Sequence, residues 1–128
     1  MFENLDVFRM AHSMAKHAGA RHTVIAQNMA NADTPDYAAH DIEPFAEIYK
    51  GNTDQVHLKA TRGSHMHGVH ENQPFSKIDR KDAVSDPNGN SVSLETEMMH
   101  AVQTKRQHDR AMMIYKSALT ILRAAVRR

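Results

Sequence analysis

Ten histidines are the first residues in this chain that invite chemistry. The densest group is His65-x-His67-x-x-His70, with His57 nearby. Imidazoles at such spacing bind zinc or nickel when a rigid frame aims them. Here the frame runs from Gly63 to Gly68 and carries no HExxH pattern. His65, His67 and His70 are therefore the metal candidates, and the expectation is that they are solvated loop side chains with no metal or cofactor bound. Asp33, Asp36 and Asp41 raise the question of paired carboxylates. Pro35 breaks that stretch, and turn-forming, solvated aspartates are the better reading. No nucleophile motif, phosphate loop or dinucleotide fingerprint occurs, so no enzyme is expected. Lys105, Arg106 and Arg110 form a basic run without an accompanying aromatic stacking set, which predicts a solvated helix face and no nucleic-acid partner.

The bulk figures narrow the class. The chain has 128 residues, no cysteine and a formal charge of +1. One domain fits that length, and disulfides and thiolate metal sites are excluded. Mean hydropathy is -0.61, and no apolar run approaches the roughly 20 residues of a membrane span. The first ten residues carry Glu3 and Asp6 and lack an unbroken apolar stretch, unlike a cleavable secretory signal. Charge is unevenly spread. Residues 33–91 hold six basic and ten acidic residues, whereas residues 92–128 hold seven basic and three acidic.

Helix breakers collect in the centre. All four prolines and four of the five glycines lie between residues 33 and 91, and eight of the nine methionines lie outside. The ends therefore predict helices. In the first, from about Asn4 to Asn31, the apolar positions Leu5, Phe8, Ala11, Ala15, Ala18, Ile25 and Met29 follow the alternating four- and three-residue steps of a seam, with His22 inserted. Pro35 stops this helix. In the second, Leu94, Met98, Ala101, Met112, Tyr115, Leu119, Leu122 and Val126 continue the same stepping, with Lys105 and His108 as polar insertions. Asp86-Pro87-Asn88-Gly89-Asn90 reads as a turn, Ser91 or Ser93 as a cap, and Glu95 and Glu97 as residues suited to the positive end of the helix dipole. The expected fold is mainly α: two long terminal helices, residues 1–34 and 91–128, paired as an antiparallel coiled-coil-like hairpin. Residues 35–90 are expected to be irregular and partly mobile, with a short strand at Val56 to Ala60.

The stretch Asn28-Met29-Ala30-Asn31-Ala32-Asp33-Thr34-Pro35-Asp36-Tyr37 closely resembles the N-terminal signature of flagellar rod, hook and hook-associated proteins. There an Ala-rich helix runs into Asn-x-x-Asn-x-x-Thr-Pro-x-Tyr, matched here by Asn28, Asn31, Thr34, Pro35 and Tyr37. The stretch from Asp86 to Met98 resembles the lead into the C-terminal helix of the proximal rod proteins. Short length favours the FlgB type within that family, with the similar FlgC type nearest to it.

The resemblance implies a structural part of the basal-body rod. Such a protein leaves the cytoplasm through the flagellar type III system without a cleavable signal and assembles into a periplasmic drive shaft. Its implied partners are copies of itself, other rod proteins, and the export gate and membrane-ring base beneath. A short export-gate element of the family matches Phe45 to Tyr49. Two other readings compete: a histidine-rich metal-binding protein, and a soluble coiled-coil adaptor.

Overall fold

The computed structural model describes residues 2–53, 75–80 and 86–127. Its frame is α1 (Phe2–Ala30) lying antiparallel to α3 (Leu94–Val126). Between them in sequence come β1 (His40–Ile42), α2 (Phe45–Thr53) and β2 (Lys77–Asp79). The expected pairing of two long terminal helices is what forms. The aromatic rings of Phe8 and Tyr115 meet edge to face at 5.2 Å near one end of the pair. Asn28 meets Glu97 near the other.

The helix ends follow from local chemistry. α3 begins at Ser93, whose backbone is extended (φ -96°, ψ 116°) and whose hydroxyl accepts from the Thr96 N–H. Glu95 and Glu97 occupy its first turn and Arg123 its last, matching the helix dipole at both ends. α1 closes with the Asn31 N–H shared between the Gln27 and Asn28 carbonyls, while the Asn31 side chain caps the Gln27 carbonyl from outside.

Among the described residues between 35 and 90, one short helix and two short strands form. Pro44 starts α2 by offering its carbonyl to Glu47 and Ile48, and the i, i+3, i+4 spacing of Phe45, Ile48 and Tyr49 gives that helix one apolar edge. β1 and β2 pair antiparallel, with Asp41 opposite Ile78. Three-residue strands are too short to show alternation, so the sequence pattern misses them. The strand expected at Val56 to Ala60 lies outside the described residues.

The seam differs from its expected register on α3. The buried positions there are Glu97, Thr104, Ala111 and Ala118, a strict seven-residue repeat. Each precedes by one residue a position expected on the seam or inserted in it: Met98, Lys105, Met112 and Leu119. Leu94 (51% exposed), Met98 (57%), Met112, Tyr115 and Val126 (83%) are open in the single chain, although Tyr115 still reaches Phe8. Ala101, Leu119 and Leu122 are half-buried. On α1, Ala11, Ala18, Val24 and Ile25 are buried, Phe8 and Ala15 half-buried, and Met29 exposed; the side chain of Leu5 lies outside the described residues. The physical reason is size. Alanines and a threonine let two helices approach closely, and large flexible methionines are displaced to the flanks.

Candidate functional site

The two segments that carry the rod-family resemblance dock on one another at the end of the helix pair. Asn28 is fully buried. Its Nδ2 donates to the His40 carbonyl at 2.7 Å and to Glu97 Oε2 at 3.1 Å. Its Oδ1 accepts from the His40 N–H at 3.1 Å and from the Tyr37 hydroxyl at 3.3 Å. A primary amide offers two donors and two acceptor directions, and here every one is used. An aspartate lacks the donors, which explains why this position takes asparagine.

Asn90 plays the same role from the other segment. It is 1% exposed. Its Nδ2 reaches the carbonyls of Asn31, Ala32 and Thr34 at 2.7–2.9 Å, the groups freed where α1 ends. Its Oδ1 accepts from the Val92 N–H at 2.7 Å, just before α3. One side chain thus ties the exit of α1 to the entry of α3. Backbone bonds fix the two turns together: Asp36 N–H to Asn88 carbonyl, and Ser91 N–H to Tyr37 carbonyl, both at 3.1 Å. Ser91, freed from capping by Ser93, accepts from the Ala39 N–H at 2.8 Å. Asp36 and Gly89 both take left-handed backbone (φ 58° and 80°). A Cβ on Gly89 would stand 2.1 Å from Asp36 Oδ1, so only glycine fits the approach. Thr34 bonds Asn31 Oδ1, and Pro35 holds the turn between them exposed to solvent.

A charged layer lies beneath this junction. Glu97, with no exposed surface, receives Arg80 Nη1 at 2.6 Å as well as the Asn28 amide. This fastens β2 to both long helices. Arg21 grips Asp41 through two bonds of 2.8 and 2.7 Å, and its Nη2 lies 3.2 Å from His100 Nδ1. The hydrogen bond to Asp41 raises the Arg21 pKa above the ordinary guanidinium value, against its partial burial. For Asp41, burial pushes upward, but the Arg21 hydrogen bond and backbone bonding outweigh it and hold the carboxyl below its usual value. Burial, then the charges of Arg80 and Arg21, keep His100 below the ordinary imidazole range.

Beside this layer runs a groove of about 760 Å³, lined by His17, Arg21, Asp41, Phe45, Arg80 and Gln107 among others. His17, 2% exposed, donates from Nε2 to the Glu43 carbonyl (2.8 Å) and stands edge-on to Phe75. The groove walls hold the Arg21–Asp41 pair and Arg80, whose Nη1 bonds Glu97 while its Nε and Nη2, like His17 Nδ1, are buried without a hydrogen-bond partner; among the described residues they set no nucleophile beside a base.

The other sequence candidates separate. Asp33 and Asp36 are exposed on the turns, while Asp41 belongs to Arg21. Among the described residues, no group of three potential metal ligands gathers; His57, His65, His67 and His70 lie outside them. Lys105, Arg106 and Arg110 are exposed along α3, as are His22 and His108. Phe45 and Tyr49 stack at 5.6 Å within α2. Pattern reading missed His17, Arg21, Arg80, Asn90 and His100 as structural residues, and saw Glu97 only as a dipole partner. His17, Arg21, Arg80 and His100 sit in no recognisable motif, whereas Asn90 and Glu97 fall within the Asp86 to Met98 stretch. The one usable signal was the pair Asn28 and Asn90, polar residues flanking the two predicted helix ends.

No protein-family model matches the chain. It is 29% identical over 132 aligned residues to the flagellar basal body rod protein FlgB of Agrobacterium fabrum, covering 97% of this chain and 95% of that protein. It is 26% identical over 131 aligned residues to FlgB of Aquifex aeolicus, covering 96% and 97%. The alignments run nearly the whole length of both relatives and take in the terminal helices and the junction that joins them. Over most of its length, then, the chain is similar to flagellar basal-body rod proteins of the FlgB type.

Proposed function

We propose that this chain is a structural subunit of the flagellar basal-body rod, acting through assembly and not through catalysis. The observation that carries this reading is the surface of α3. Met98, Met99, Val102, Met113 and Ile121 are each more than half exposed and fall on one broad arc of α3 opposite the face that α1 covers. A second apolar face of this kind marks a surface that neighbours cover. Each aliphatic side chain covered adds about 1.5–3 kcal/mol. One helix face is taken by α1; other subunits cover the rest.

The junction suits a part under torque. Asn28, Asn90 and Glu97 lock the helix pair with buried hydrogen bonds, so load passes through α1 and α3 together. Export through the flagellar type III route, a periplasmic position, and contact with other rod proteins and the membrane-ring base complete the proposal. Phe45 and Tyr49 are the residues proposed to engage the export gate.

The test is replacement of the chromosomal copy by a tagged one, followed by isolation of basal bodies. The tagged chain should co-purify with the rod, and its deletion should abolish swimming. A chain that stays in the soluble fraction of swimming cells would mark a coiled-coil adaptor and end this reading.

A further inference from the structure

Charge is segregated along the molecule. At the junction end, Asp33, Asp36 and Glu95 are exposed. Along the other half of α3, Arg110, Lys116, Arg123 and Arg127 are exposed, with Asp109 as the acidic residue among them. Apolar side chains accompany both sets. Leu94 and Met98 stand open near the acidic end, and Ile121 and Val126 near the basic end. The two sets lie too far apart to satisfy one another within one chain. At 1.5 Å per residue, Glu95 and Arg123 are separated by about 40 Å along α3, several times the roughly 8 Å screening length of physiological salt.

We infer that the acidic, apolar junction end of one copy docks onto the basic, apolar C-terminal half of α3 in a second copy. This rests on the rod-subunit reading and adds which surface meets which. The occupant is a second copy because both complementary halves are carried by the same chain. The two surfaces are different, so the contact is head to tail. Every docking step leaves one free acidic end and one free basic end, and the contact extends as an open string. The charges steer and orient the encounter, and the apolar residues hold it.

The absence of cysteine makes the geometry directly readable. Met99→Cys and Thr120→Cys place thiols on exposed positions beside the two charged sets without removing a charge. They are about 30 Å apart on one rigid helix, so a short link cannot form within one chain. Basal bodies from cells carrying only the double variant are treated with a flexible bismaleimide. The expected result is a ladder of cross-linked copies, at least tenfold weaker in either single variant. Strong dimers from Met99→Cys alone would mean like-to-like pairing and overturn the proposal, as would links solely to a different polypeptide. A variant present in basal bodies but giving no ladder also overturns it. A variant absent from them while its cells still swim overturns the rod-subunit reading instead. A second arm reverses charge. Asp33→Lys with Glu95→Lys, or Arg123→Glu with Arg127→Glu, should each reduce the ladder and swimming at least tenfold, with helical content and melting unchanged. All four substitutions together should restore both. Failure of the combined variant to recover either would refute the charge pairing.

Discussion

Asn90 joins the end of α1 to the start of α3 through one side chain. Its amide serves three carbonyls at the end of α1, and its oxygen holds the Val92 N–H. Asn90→Ala leaves those groups buried without partners, which costs about 1–3 kcal/mol. For a chain of this size the melting temperature should drop by roughly 5–10 °C. A melt unchanged within error would mean that water replaces the amide freely. Gly89 makes a separate demand. Gly89→Ala adds a left-handed alanine and a collision with Asp36, together about 2 kcal/mol or more. Adding Asp36→Gly removes the colliding carboxylate, and part of the loss should return. The charged layer adds a pH dependence. His100 titrates lower when folded than when unfolded, so the native chain binds fewer protons there. Stability contributed at this site is complete above about pH 6.5 and is lost as pH falls below it. Asp41 adds a second loss only below its ordinary 3.8, because Arg21 keeps it ionised. Denaturation midpoints measured from pH 8 to pH 5 should fall, and His100→Gln should flatten that limb; an equally steep limb in the variant would assign it elsewhere.

At the scale of elements, the register of α3 is the sharpest question. Ala111 is 1% exposed against α1, and Met112 next to it is open. Ala111→Leu should overpack the helix interface and cost about 1–3 kcal/mol. Met112→Ala should cost well under the roughly 2–5 kcal/mol of a buried methionine. The opposite ranking in urea denaturation would restore the register expected from the apolar pattern. The two helices and their ends were readable because Pro35 and the Asp86–Asn90 turn stop them chemically, whatever the packing. The face that α3 turns inward was not. Periodicity marks where large apolar residues lie, and here most of those residues stay exposed in the single chain, while alanines make the internal contact. The junction was half legible: the Asn28 to Tyr37 motif stood out, and Ser93 was one of two capping candidates. Arg80 and Glu97 meet only because β1 and β2 fold back over the helices. No local pattern announces that contact, because Arg80 lies outside both motifs. α2 was hidden by Pro44 just ahead of it and Gly51 within it, which read as loop punctuation, although proline is well placed just ahead of a first helical turn.

For the whole molecule, folding and assembly use different residues, and that separation can be measured. The single chain is held by small buried side chains and the polar junction, while Met99 and Met113 are 58% and 62% exposed. Met99→Asp and Met113→Asp remove nothing from the internal core. In the isolated chain each should change stability by about 0.5 kcal/mol, the loss of intrinsic helix preference. In an assembled rod the same aspartates would meet apolar neighbours. An unpaired carboxylate there is far more costly than the methyl group it replaces. The double variant should therefore melt like the parent, accumulate normally in cells, and yet be missing from isolated basal bodies, with swimming lost. Ala111→Leu should do the reverse, weakening the chain before any neighbour arrives. If the aspartate variant assembles and swims normally, the exposed face of α3 is ordinary solvated surface. If it fails to fold, those methionines belong to the internal core after all. Parent-like melting combined with failed assembly is the outcome in which α1 covers one side of α3 and the rest of the rod covers the others.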